Sequence, residues 1–174
     1  IGHDLGVIPE LIITKSDSTN SWATWHKDAN TTVKDMMRLQ LSNTLYTDSG
    51  NLWGASVPSS TLIGVSAGAF AAGSCIAYSW AGVDGYSEFG KYIGNGVIDG
   101  PVVNTNMTPA TTFYKRLSGG AGDWKVQSKA IYPANQVDGT LAYNTTGSLS
   151  TGTAHESDFL SNGFKIRGND TVTN

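Results

Sequence analysis

Apolar and polar residues alternate along this chain in short stretches with a period of two. Ser21 to His26 sets Trp22, Thr24 and His26 against Ala23 and Trp25. Asp123 to Gln127 alternates polar residues with Trp124 and Val126, and Ser74 to Trp80 sets Ile76, Tyr78 and Trp80 against small residues. Successive side chains of a strand point to opposite faces, so this alternation marks strands with one face covered. Leu11 to Lys15 is a short apolar run after Pro9, Ile63 and Val65 flank Gly64, and Thr111 to Lys115, Thr140 to Tyr143 and Phe164 to Arg167 repeat these themes. Turn formers punctuate the pattern at Asp84-Gly85, Asn95-Gly96, Asp99-Gly100, Gly119-Gly120, Asp138-Gly139 and Asn162-Gly163. Strands of this length and spacing predict an all-β fold, an antiparallel β-sandwich with little or no helix. The one helical candidate is Thr32 to Leu39, where Val33, Met36 and Met37 are spaced for one face; two turns are equally compatible with a loop.

The two halves of the chain share a template. Pro9 and Lys15 match Pro109 and Lys115 at an offset of 100; Trp22, Lys27 and Leu39 match Trp124, Lys129 and Leu141 at 102; Ile63 and Val65 match Phe164 and Ile166 at 101. The offset drifts across polar stretches, where loops absorb insertions. A period near 100 residues is too long for a propeller blade or a solenoid coil and points to two tandem repeats of a small domain. The expected division is 1–86 and 87–174. Tyr92 to Gly96 opens the second unit and has no counterpart after Ile1, and Cys75 to Trp80 closes the first with no counterpart before Asn174. The expectation is therefore a window on a longer polypeptide, its first unit lacking an opening strand and its second a closing strand.

Composition narrows the function classes. Only 14% of residues are charged and 21 are glycine, which suits short strands joined by tight turns. A net charge of −3 without a basic cluster gives no electrostatic reason to expect nucleic acid. No apolar run approaches the roughly twenty residues of a membrane-spanning helix. The single cysteine, Cys75, cannot form an intrachain disulfide and reads as a small buried strand residue.

Several segments carry a resemblance. Leu5 to Lys15 followed by Trp22, then Ile76 to Trp80, Gly85 to Tyr92, Gly94-Asn95-Gly96, Asp99-Gly100-Pro101 and Asp158 to Gly168 are similar to a repeat in large, mostly marine bacteriophage structural proteins. The resemblance covers most of the chain. It implies an appendage, fibre or decoration domain on a virion and carries over no functional residue. One departure is that Thr111-Thr112 stands where the first unit has Leu11-Ile12, which predicts a more exposed strand in the second unit.

Among motifs with chemistry, Gly64-Val65-Ser66-Ala67-Gly68 fits G-x-S-x-G, the nucleophile elbow of serine hydrolases. It is most similar to the patatin-type lipase pattern, in which Asp99-Gly100 would supply the acid. That elbow needs a parallel α/β sheet with long amphipathic helices, which the pattern above does not offer, and the Gly119 to Gly122 run lies downstream of Ser66, not upstream. No catalytic residue is therefore assigned. His3, His26 and His155 lack the close spacing of a metal pair. Asp17, Asp48, Asp84, Asp99, Asp138 and Asp170 sit in polar loops without the density of a calcium loop, so neither metal nor cofactor is expected. Four N-glycosylation sequons begin at Asn30, Asn106, Asn144 and Asn169, a number that composition alone explains. Trp22, Trp80 and Trp124 read as strand residues filling the core, whereas Tyr46 and Trp53 flank the polar segment 47–51 and are the candidates for an external contact.

These readings favour a non-enzymatic structural or adhesive domain of a phage tail fibre, head fibre or decoration protein, exposed on the virion surface. Its partners would be other copies of itself or neighbouring virion proteins, with a host glycan as a further contact. A carbohydrate-binding module or lectin of a larger secreted protein is the alternative, and a serine hydrolase acting through Ser66 the third.

Overall fold

The computed structural model describes residues 1–17, 21–47, 50–66 and 73–174. The chain is all-β, with three antiparallel sheets; among the described residues the only helical feature is a 3-10 turn at Thr153–His155. It divides into two compact units. Unit 1 comprises Ile1–Val83 with Ser87–Lys91, and unit 2 comprises Asp84–Tyr86 with Tyr92–Asn174.

Unit 1 holds β1 (Leu11–Ser16), β2 (Ala23–His26), β3 (Asp35–Arg38), β4 (Tyr46–Thr47) and β5 (Cys75–Trp80), in the spatial order β4-β3-β2-β1-β5. Its core gathers Ile12, Trp25 and Met36 from one face of this sheet and closes over them with Leu52, Trp53 and Ile63. The one helical candidate, Thr32 to Leu39, contains strand β3 instead. Met36 and Met37 point to opposite faces and both are buried, so a doubly covered strand gives adjacent apolar residues that imitate a helical face. The Asp35 carboxylate fixes the turn that precedes β3. It accepts hydrogen bonds from the Thr31 and Thr32 amides and the Thr31 hydroxyl on one oxygen, and from the Thr47 hydroxyl on the other, at 2.7–3.1 Å.

Unit 2 holds β6 (Val102–Asn104), β7 (Thr111–Tyr114), β8 (Lys125–Ser128), β9 (Gly139–Ala142), β10 (Ser150–Thr151), β11 (Ser157–Leu160) and β12 (Gly163–Ile166). One sheet runs β10-β9-β8-β7 and the other β11-β12-β6. Tyr114 of β7 and Phe164 of β12 meet edge-to-face at 5.6 Å, with Tyr92 against both rings. Val137, Phe159 and Ile166 complete this core. The Asn162-Gly163 pair closes the β11–β12 hairpin. Gly163 has φ +157° and lies so close to β6 that a Cβ would sit 2.0 Å from the Val103 carbonyl oxygen, so only glycine fits.

The two larger sheets have the same register. Leu11 pairs with His26 and Thr111 with Ser128; Thr14 pairs with Ala23 and Tyr114 with Lys125. Ala23 pairs with Arg38 and Lys125 with Ala142; Asp35 pairs with Thr47 and Gly139 with Thr151. The offsets are 100 for β1 to β7, 102 for β2 to β8, and 104 for β3 to β9 and β4 to β10. Flanking bonds repeat as well. Lys27 N–H donates to Glu10 and Lys129 N–H to Ala110, while Leu39 N–H donates to Trp22 and Tyr143 N–H to Trp124. The amide of Trp22 donates to the Gln40 side chain and that of Trp124 to the Asn144 side chain. The partner of Leu39 is therefore Tyr143, not Leu141. Likewise Ile63 N–H donates to Ile1 and Ile166 N–H to Pro101, which sets Ile63 against Ile166, not Phe164.

The sheets differ at one edge. In unit 1, β5 lies antiparallel on the free side of β1, from Leu11 opposite Trp80 to Ser16 opposite Cys75. In unit 2, β7 is the terminal strand.

Candidate contact surfaces

Strand β5 turns its small residues Cys75, Ala77 and Ser79 inward and Ile76, Tyr78 and Trp80 outward. Tyr78 and Trp80 are 43% and 40% exposed, and their rings lie nearly parallel, 17° apart with centroids at 6.2 Å. Register sets them beside Ile13 and Leu11 of β1. The result is an apolar platform on an edge strand, flat enough for a planar or ring-shaped ligand to lie against. Trp80 is thus a surface residue and not part of the core. Trp22 is also partly out, at 36% exposure, and only Trp124 of the three expected core indoles is buried.

The two residues expected at an external contact separate. Tyr46, on β4, is exposed, and the Arg38 guanidinium lies 4.4 Å above its ring centroid. That pairing leaves a cation-bearing aromatic at the far edge of the sheet. Trp53 is 0% exposed and donates its indole N–H to the Asp35 carbonyl, so it is a core residue and offers no external contact. Its loop is pinned from behind by Gly64, where a Cβ would meet the Trp53 carbonyl oxygen at 2.2 Å.

This close approach accounts for Gly64 of the G-x-S-x-G segment on packing grounds. Ser66 donates its amide to the Leu52 carbonyl. Ala67, Gly68 and the Ala-rich run after them lie outside the described residues. Every strand pairing among the described residues is antiparallel, unlike the parallel sheet on which the hydrolase elbow is built. Asp99, offered as the acid, forms an ion pair with Lys165 at 2.6 Å, which holds its carboxyl below the usual range.

In unit 2, the sheet face that matches this platform is also aromatic. Phe113 stacks on Trp124 at 5.1 Å and meets Tyr143 edge-on at 5.7 Å. Phe113 and Tyr143 remain 42% and 63% exposed. The Lys115 ammonium lies 5.6 Å over the Trp124 ring and donates to the Gly122 carbonyl at 2.6 Å. Burial pulls its pKa down to about 8, with Asp123 opposing the shift. The contrast with Leu11-Ile12 resolves residue by residue: Thr111 is exposed and Thr112 is buried.

Several other titratable and polar residues are built into the fold. His26 is shifted to lower pKa by burial, and its ring accepts the Asp28 amide at 3.1 Å. His155 and Lys125 both face Asp170, at 3.2 and 3.3 Å. Cys75 packs half-buried against the core of unit 1, where burial pushes its thiol up. Two sequon asparagines are structural: Asn30 is buried on the Asp35 carbonyl, and Asn144 bridges the Trp124 amide and Asp123. The outward aromatics of β5 were legible as a strand but not as a surface, since alternation does not reveal which face is covered.

The chain belongs to a domain family of unknown function, DUF7483, whose model matches residues 1–174. No curated protein matches it, and no solved structure does.

Proposed function

We propose that this chain is a non-enzymatic structural and adhesive module, made of two tandem units of one β-sandwich plan, that works in a bacteriophage virion appendage. The observation that carries the tandem reading is the shared register of four strands, including the side-chain caps on Trp22 and Trp124. Duplication with conserved ladders and divergent side chains suits a protein that grows by repetition and acts through its surfaces. The resemblance to phage structural repeats supplies the virion setting. The partners are neighbouring copies or virion proteins, and the Tyr78–Trp80 platform, with Tyr46 at the opposite edge, is suited to a surface glycan, because sugar C–H faces stack on flat aromatic rings. Those stacked rings also favour the second reading, a carbohydrate-binding module of a larger secreted protein.

Mass spectrometry of particles produced from the encoding genome tests the setting: peptides of this chain in purified virions support it, and their absence from intact particles refutes it. A glycan array tests adhesion, with loss of a signal in Tyr78→Ala/Trp80→Ala expected and an unchanged signal counting against the platform. Covalent labelling of Ser66 by a fluorophosphonate, abolished in Ser66→Ala, would move the hydrolase reading to first place.

A further inference from the structure

The matched sheets differ by one strand, and the difference defines a binding edge. In unit 1 the edge of β1 is occupied by β5. Among the described residues, no strand lies on the same edge of β7 in unit 2. In an antiparallel ladder, alternate residues direct both backbone groups to one neighbour. Ala110 accepts from Lys129 just outside the Thr111–Ser128 pair, so Thr111 and Phe113 direct their N–H and C=O groups away from β8, toward the open edge. Both residues are exposed.

Two further observations say what would fit there. The Thr112 hydroxyl is buried, and the polar group that it neighbours is the Tyr114 hydroxyl of its own strand, with no well-formed hydrogen bond to another strand. Its equivalent, Ile12, lies opposite Ser79 of β5. A strand seated in the same way would bring a small hydroxyl residue next to Thr112. The next inward position would face Tyr114, whose ring is already packed between Tyr92 and Phe164, so it too must be small, as Ala77 is. On the other face, Phe113 occupies the place of Ile13, which lies opposite Tyr78.

We propose that the open edge of β7 is a strand-acceptor site. It takes an extended antiparallel segment with the alternation of β5, small or hydroxyl residues inward and aliphatic or aromatic residues outward, from a neighbouring unit of the same family. Main-chain bonds to Phe113 and Thr111 would supply affinity and the inward small residues specificity, as in other recognition by strand addition. The chain's own β5 is not the donor, because it already occupies β1. The source of the strand rests on the assembly reading proposed above, whereas its fit to the edge rests on the register alone.

The test uses the full chain labelled with 15N and a synthetic peptide of residues 73–82, Gly-Ser-Cys-Ile-Ala-Tyr-Ser-Trp-Ala-Gly, under reducing conditions. Saturable binding should slow hydrogen exchange of the Phe113 and Thr111 amides by about tenfold or more while leaving β10 unaffected. A peptide N-methylated at its tyrosine, and one with the inward and outward residues interchanged, should both lose this protection. Equal binding by either control, protection at another strand, self-association of the chain that the peptide does not displace, or no binding would each overturn the proposal. None of these outcomes bears on whether the chain is found in virions.

Discussion

The indole N–H of Trp53 donates to the main-chain carbonyl of Asp35 at 2.7 Å, and both residues are buried. A residue from a polar connecting segment therefore plugs the core of unit 1 and caps the start of a strand at the same time. Trp53→Phe keeps an aromatic ring but removes the donor. It should destabilise unit 1 by about 1–3 kcal/mol, from the loss of one of two hydrogen bonds to a carbonyl that Asn30 still serves, plus lost volume. Denaturant unfolding followed on the remaining tryptophans measures this; a midpoint equal to that of the unmodified chain would take Trp53 out of the core.

The carboxylate of Asp35 gives unit 1 a pH dependence. Burial alone would raise its pKa, but hydrogen bonds from Thr47, Thr31 and Thr32 outweigh it and hold the group below the usual carboxylate value. The folded state thus prefers the ionised form more than the unfolded chain does. The resulting stability is present above the unfolded pKa, near 4, and is lost as pH falls through the lower folded value. Urea midpoints should fall between pH 5 and 3 by more in the unmodified chain than in Asp35→Asn. Parallel acid profiles would refute the assignment.

Where unit 1 has Trp25 opposite Ile12, unit 2 has Gln127 opposite Thr112, at the centre of a polar network. Gln127 is fully buried, accepts from the Tyr114 and Ser157 hydroxyls at 3.1 and 2.9 Å, and donates to the carbonyls of His155 and Val137. Gln127→Leu should cost about 2–4 kcal/mol, because two hydroxyls and a carbonyl lose their partner inside the protein. Thermal unfolding with a unit-2 probe, such as the Tyr92 and Tyr114 ring signals, would reveal the loss. A neutral or stabilising effect would mean that water or repacking satisfies those groups.

Lys115 gives unit 2 a pH dependence of the same sign at alkaline pH. Its folded pKa, about 8, lies below the usual lysine value, so between pH 8 and 10 the unfolded chain binds more protons than the folded one. Stability of unit 2 should therefore rise as pH climbs from about 8 to about 9.5, below the range where the buried Tyr92 and Tyr114 hydroxyls matter. Lys115→Met should abolish that rise. A rise that persists in the variant would assign the titration elsewhere.

Much of this architecture was legible in the sequence, and the errors share one physical cause. Strands β1, β2, β5, β7, β8, β9 and β12 were each anticipated within two residues or so, because alternation with flanking turn pairs is a local signal. Trp22 and Trp124, 102 residues apart, hold the same place in the two ladders. Leu39 with Leu141 and Ile63 with Phe164 were each misaligned by two residues. A shift of two along a strand preserves the face, so an apolar residue finds another apolar residue and sequence matching cannot detect the slip. The loop before β9 is two residues longer than that before β3, which only hydrogen-bond register exposes. Trp53 was misread because its neighbours are polar, and burial by a layer from a distant loop leaves no periodic trace. Trp22 and Trp80 were misread because a strand's pattern says that its faces differ, not which one is wet.

The shared register has a consequence for synthesis of the chain. To a strand leaving the ribosome, β1 offers β8 the same ladder that it offers β2, and β7 offers β2 the ladder meant for β8, a standing invitation to cross-pair. The side chains act as proofreaders. On β1, Gln127 would lie beside Ile12 and lose the Tyr114 hydroxyl; on β2, the Tyr114 hydroxyl would lose Gln127 and lie beside Ala23 in an otherwise apolar core. Each hybrid buries a polar group without its partner, at about 1–3 kcal/mol apiece. The differing side chains thus disfavour pairing between two sheets that share one ladder register.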